Sequence, residues 1–250
     1  MHEFDVLVFA SQKGGSGKTT LSGHMAVAAE RAGVGRVAVV DTDPQGSLLA
    51  WAKSRADSTL TAVRSTSEYL ADDLARLKEE GIRMVFVDTP PAANASIVEA
   101  VRHADLVVVP TRPSPHDLRA VGSTIDIVEA HRKAMIFVVN SATARAKITA
   151  DAAVALSQHG TVAPVTVHHR VDYAGSMIDG RTVLEISQDG RSAVEMTALW
   201  DYIAGRLVKR REQAVAELAG RRGLAPAAGD ALRRLAPAFG RREAAAVAAM

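Results

Sequence analysis

Six short, almost uninterrupted apolar runs set the architecture open to this chain: Phe4 to Phe9, Val37 to Val40, Met84 to Val87, Leu106 to Val109, Ile136 to Val139 and Val162 to Val167. A strand with one solvated face alternates polar and apolar residues, whereas these runs do not alternate and must be covered on both faces. Helical patterns lie between them, at Ser67 to Glu80, Ser114 to Arg132 and Lys147 to Gln158, followed by Asp189 to Lys209 with Val194, Leu199, Trp200 and Ile203. Ser67 and Ser114 read as N-caps, the latter with Pro115 at the first helical position. Strands alternating with helices predict an α/β fold: a mostly parallel sheet flanked by helices.

At 250 residues, 48% hydrophobic and 23% charged, the chain can bury a full core as one domain plus a tail. No run approaches the roughly 18 apolar residues of a membrane-spanning helix, and no N-terminal stretch has the pattern of a cleaved leader, so a cytoplasmic protein is expected. The absence of cysteine excludes disulfides, thiolate zinc sites and cysteine-ligated iron–sulfur clusters. The net charge of +2 hides an asymmetry, because residues 206–250 carry ten Lys/Arg against four acids. That end is Ala- and Arg-rich and broken by Gly220, Gly223, Pro226, Gly229, Pro237 and Gly240, as expected of short helices or irregular chain. A basic end suits an anionic partner; a solvated helix face is the plainer alternative.

Between the first apolar run and a helix-forming stretch, Leu21 to Arg31, stands Gln12-Lys13-Gly14-Gly15-Ser16-Gly17-Lys18-Thr19-Thr20. Strand, glycine loop, helix is the context in which backbone N–H groups converge on phosphate oxygens and the helix N-terminus adds its dipole. Lys18 then reaches the β- and γ-phosphates and Thr19 holds Mg²⁺. The usual pattern demands glycine where Gln12 stands, and it carries no lysine at the Lys13 position. Two further segments follow buried runs: Asp41-Thr42-Asp43-Pro44-Gln45-Gly46 and Asp88-Thr89-Pro90-Pro91. Carboxylates at strand C-terminal ends sit where open parallel sheets bind ligands, and they can hold Mg²⁺ through its water shell. Taken singly, Asp41 and Asp43 could instead cap a helix, and Asp88 could form a turn.

Together these segments resemble the deviant Walker ATPases of the ParA/MinD group, a branch of the P-loop NTPases. The likeness spans roughly residues 3 to 208, as an ATPase domain, and leaves 209–250 as a basic tail. It extends to Val109-Pro110 with Pro113-Ser114-Pro115-His116-Asp117-Leu118, and to Arg170-Val171-Asp172-Tyr173 with Thr182-Val183-Leu184-Glu185, as in small ParA proteins. The resemblance implies an Mg²⁺-dependent ATPase with Gly14, Gly15, Ser16, Gly17, Lys18, Thr19 and Thr20 around the nucleotide. It implies that Lys13 crosses a homodimer interface to the partner's phosphates, that Asp43 positions the attacking water, and that Thr19, Asp41 and Asp88 surround the metal. Asn140 matches a position that hydrogen-bonds adenine; a strand-end turn is the alternative.

Cysteine-dependent relatives are excluded. MinD-type proteins end in an amphipathic membrane helix, which Leu232 to Arg242 resembles only faintly, with Pro237 breaking it. The resemblance therefore implies a ParA-type enzyme that dimerises on ATP, coats nucleoid DNA and, stimulated by a ParB-like or cargo adaptor, positions a plasmid, chromosome or protein assembly. A membrane-surface switch acting through the tail is the alternative, and an amidoligase-like or kinase-like relative a third. Arg191, Arg206, Lys209, Arg210 and Arg211 are the candidate DNA contacts. His168 and His169 lack partners at metal spacing and read as strand residues, and Met177 and Trp200 as core or dimer-contact residues.

Overall fold

The computed structural model describes residues 4–56, 59–91 and 95–221, with backbone alone for 218–221. The chain divides into two compact units, residues 1–205 and 206–250. The first unit is built on a seven-stranded sheet of β1 (Asp5–Phe9), β2 (Val37–Asp41), β3 (Thr61–Arg64), β4 (Met84–Asp88), β5 (Leu106–Thr111), β6 (Met135–Val139) and β7 (Thr161–Val162). The spatial order is β3-β2-β4-β1-β5-β6-β7, and every pairing is parallel. Helices α1 (Lys18–Arg31), α2 (Ser47–Lys53), α3 (Leu70–Glu79), α4 (Ala95–His103), α5 (Pro115–Ala130), α6 (Lys147–Ser157), α7 (Val171–Met177), α8 (Val183–Ile186) and α9 (Arg191–Arg221) complete the described elements. In the second unit, residues 206–221 are the C-terminal part of α9.

The apolar runs are buried on both faces because successive side chains point to opposite sides of the sheet. On one face Val6, Val8, Val85, Val87 and Val107 pack with Leu70 and Leu74 of α3, Ile97 and Val101 of α4, and Val121 and Val128 of α5. On the other, Phe9 stacks near Phe86 at 6.4 Å between ring centroids, and Trp200 of α9 meets Phe86 at 6.3 Å. Trp200 is thus a core residue; Met177 is half-buried against the Gly23 position of α1.

Several local expectations change. Ser114 does cap α5, accepting from Asp117 N at 3.1 Å, but Ser67 caps nothing, and α3 begins only at Leu70. The Val162 to Val167 run contributes a two-residue edge strand, since Pro164 has no N–H to add to a ladder. β3, α4, α7 and α8 are additions; β3 is half-buried and polar at both ends, which hides it from a search for apolar runs. Helix α9 continues past Arg211 to Arg221, while residues 222–250, including Leu232 to Arg242, lie outside the described residues. Among the described residues no helix is long and apolar enough to cross a membrane.

The topology places the site. Strand register pairs Phe9 with Asp88 and Asp41 with Asp88, so the C-terminal ends of β1, β2 and β4 stop at one level. β1 feeds the glycine loop there, and β5 and β6 deliver Arg112 and Asn140 on the other side. This is the crevice at the carboxyl ends of the strands where doubly wound sheets bind ligands.

Candidate functional site

The glycine loop owes its shape to two left-handed glycines. Gly17 has φ 99° and precedes α1, and a Cβ there would lie 2.1 Å from Asn140 Nδ2. No side chain fits that approach. Asn140 uses it to donate to the Ser16 carbonyl at 2.6 Å, tying the loop to the end of β6. Gly15 has φ 74°, and the Arg112 guanidinium lies 3.3 Å from where its Cβ would be.

The two loop lysines occupy opposite environments. Lys18 is buried; burial depresses its pKa while Asp88 and then Asp43 pull it back up, and among the described residues its ammonium hydrogen-bonds only to the Lys13 carbonyl, at 3.5 Å. Lys13 is exposed, and its ammonium has no partner among the described residues. A buried cation at a glycine loop is complementary to an anion.

Three aspartates at the strand ends have different tasks, and two of them, Asp88 and Asp43, act on Lys18. Asp88 Oδ2 accepts from the Thr19 hydroxyl at 2.5 Å, while Oδ1 is buried without a hydrogen-bond partner among the described residues. Burial pushes this carboxyl up to about 7, against the Thr19 hydrogen bond and with Asp41 adding to the rise. An orphaned carboxylate oxygen beside a threonine hydroxyl fits a hydrated divalent cation such as Mg²⁺, which needs few protein ligands. Asp41 accepts from Asp43 N at 3.0 Å and from Leu49 N at 2.9 Å, so it caps α2 and shapes the loop carrying Asp43. Asp41 thus does cap a helix, each oxygen taking a backbone N–H, while Thr19 and Asp88 form the pair with an orphaned oxygen among the described residues. Asp43 lines the cleft, with Oδ1 held by Gln45 N at 2.9 Å. No cluster of three or more His, Asp or Glu able to hold a metal occurs among the described residues.

These groups share a cleft of about 390 Å³, within the range of small-molecule sites. From Gly14, Gly15, Gly17, Lys18, Thr19 and Thr20 it extends past Asn140 to His168, Arg170 and Tyr173. Arg112 escaped the sequence reading, although its place directly after an apolar strand was a signal. His168 is no ordinary strand residue: it forms a single bridge with Ala142 and pairs through Nδ1 with Glu195 at 2.8 Å. Arg191 is exposed at the start of α9, in the first unit. Within the second unit Arg206, Lys209 and Arg210 share one helix face by their spacing, with Arg211 beside them.

Residues 7–183 match the CobQ/CobB/MinD/ParA nucleotide binding domain family. The chain belongs to that family. It is 30% identical over 199 residues to the maintenance of carboxysome distribution protein A of Halothiobacillus neapolitanus, covering 76% of this chain and 91% of that one. In fold it is similar to a McdA–ATP complex from Cyanothece, with a TM-score of 0.69, 18% identity, and 82% and 98% of the two chains covered. It is likewise similar to MinD of Pyrococcus horikoshii complexed with Mg-ADP, with a TM-score of 0.65, 14% identity, and 80% and 96% covered. The glycine loop, both lysines and the three aspartates of this ParA/MinD-family chain lie within the matched span.

One buried residue couples the loop helix to the cleft's far wall. His24, fully buried on α1, donates from Nδ1 to Thr20 O at 2.8 Å, accepts at Nε2 from Val183 N at 3.3 Å, and packs edge-on to Tyr173. Both nitrogens are satisfied only in the neutral tautomer, and burial lowers its pKa to about 4. Because the folded value lies below the unfolded one, stability is complete above pH 6.5 and is lost as pH falls toward 4. The loss should reach about 3 kcal/mol. Urea unfolding across that window should show it, and His24→Leu should flatten the slope there; an unaltered slope would remove the assignment.

Proposed function

We propose that this chain is an Mg²⁺-dependent ATPase that works as an ATP-gated homodimer on DNA to position a cargo. The observation that carries the reading is the division of labour between Lys18, buried among carboxylates, and Lys13, exposed on the same loop. A cation already inside the cleft serves the chain's own nucleotide. A cation held outside it can serve a second copy's nucleotide, which makes association depend on phosphate charge.

In this reading the backbone of Gly14 to Thr20 and Lys18 bind the phosphates, and Thr19 and Asp88 hold Mg²⁺. The metal, when bound, neutralises charge building on the transferring phosphoryl group. Asp43, on a loop stiffened by Asp41, orients the attacking water. Asn140 holds the loop in shape and borders the wall that receives adenine. The basic helix face of Arg206, Lys209 and Arg210, with Arg211 beside it, meets DNA phosphates without sequence preference, and Arg191 of the first unit is a separate candidate contact.

A ParB-like or cargo adaptor would stimulate hydrolysis. The 30% identity to a carboxysome-distribution protein favours a large protein assembly as cargo over a plasmid or chromosome. Residues 1–208 serve as the ATPase domain and 209–250 as a basic extension, in a cytoplasmic, nucleoid-associated protein.

Sedimentation with DNA or with anionic liposomes, each with ATP, ADP and a salt series, tests this. Binding should appear with DNA and ATP only, and log K should fall with log salt by about 0.9 per phosphate contact. Lys13→Gln should bind ATP yet stay monomeric and lose that pelleting. DNA binding indifferent to ATP, or ATP-dependent pelleting with liposomes alone, would defeat the DNA reading.

A further inference from the structure

Glu195, in the second turn of α9, is absent from the cleft lining, yet it organises the wall opposite the glycine loop. Its carboxylate accepts from His168 N at 3.0 Å, His168 Nδ1 at 2.8 Å, Arg170 Nη2 at 2.6 Å and Tyr173 Oη at 2.7 Å. The three residues that supply these donors all line the cleft.

The backbone alone does not orient them. The segment after β7 is pinned by Val167 N to Val139 O and by His169 N to Ala142 O, both 2.9 Å, and then leaves the sheet. Side chains at 168 and 170 share one side of an extended segment, and Tyr173 follows within the first turn of α7. One carboxylate gathers all three. Burial opposes its ionised form, but hydrogen bonds from Arg170, then Tyr173 and His168, keep the carboxyl below its usual range. Burial, reinforced by Glu195, pushes the Tyr173 hydroxyl pKa up, so it remains a donor. The segment pairs beside β6, three places along the sheet from β1 and so roughly 14 Å from the phosphate loop's strand. That separation suits the end of a nucleotide remote from its phosphates.

We propose that Glu195 is a positioning residue that sets His168, Arg170 and Tyr173 for the base and ribose of the bound nucleotide, leaving phosphate recognition to the glycine loop. This rests on the nucleotide reading above.

Thermal-shift titrations with ATP and with inorganic tripolyphosphate, which read binding into the millimolar range, separate the two ends of the cleft. Glu195→Gln should weaken ATP roughly tenfold, the size of one lost charged hydrogen bond, and change tripolyphosphate affinity less than about twofold. Tyr173→Phe keeps the ring against His24 and removes one donor, so the same selectivity should appear at smaller size. Equal losses on both ligands, or an unchanged ATP affinity in both variants, would overturn the assignment. A wild-type chain stabilised by neither ligand would instead defeat the nucleotide reading itself.

Discussion

Replacing Lys18 with Ala should cost at least ~100-fold in ATP affinity, about 2.7 kcal/mol, without destabilising the apo fold. The buried ammonium is the positive group facing Asp88 and Asp43, and its pKa is depressed by burial and sustained by those carboxylates. Without it, the phosphates would meet Asp43 and Asp88 with only backbone N–H groups and the Arg112 guanidinium near Gly15 to offset them. The apo protein loses a desolvated charge whose ammonium, among the described residues, hydrogen-bonds to a single carbonyl at 3.5 Å, so its unfolding temperature should hold or rise. Calorimetric titration with ATP, beside thermal unfolding of the apo variant, measures both. Affinity within a few-fold of wild type would place the phosphates elsewhere.

Asp43→Ala should leave ATP binding nearly intact and slow hydrolysis by ~10²–10⁴-fold, the range for loss of a group acting on the proton of an attacking nucleophile. The loop keeps its form because Asp41 accepts the backbone N–H groups of Asp43 and Leu49, and an alanine at 43 retains that N–H. The substitution removes the cap on Gln45 N, a modest local cost. Single-turnover hydrolysis read against ATP affinity separates the two effects, and the ATP form should persist on DNA. Normal turnover would take water positioning away from Asp43.

Much of the candidate site was legible because its parts are local. The strand, glycine loop and helix are contiguous, and Asp41 and Asp88 each end an apolar run. Such runs continue until the chain leaves the sheet, so the first polar residue marks the ligand-binding edge. Asn140 follows the same rule, directly after β6, whereas Arg112 comes one residue after the polar Thr111 that ends β5.

The partnerships were not legible, because they join distant segments. Thr19 meets Asp88 across 69 residues, and Asn140 meets Ser16 across 124. The reach of Leu49 N–H back to Asp41 is likewise invisible until the chain folds. Glu195 reads as one more exposed helix acid; only the return of Arg170 and Tyr173 against α9 makes it a hub. The edge strand β3 and the short helices α7 and α8 hold their form through tertiary contacts more than through local propensity.

Sequence alone determined the parallel α/β sheet, the phosphate-type loop with its second lysine and the level at which the aspartates emerge, since hydrophobic period and glycine conformation are local properties of the chain. Tertiary structure decided which lysine is buried, which aspartate keeps a free oxygen and which glutamate arranges the far wall. Desolvation and hydrogen-bond satisfaction depend on neighbours that only folding brings together.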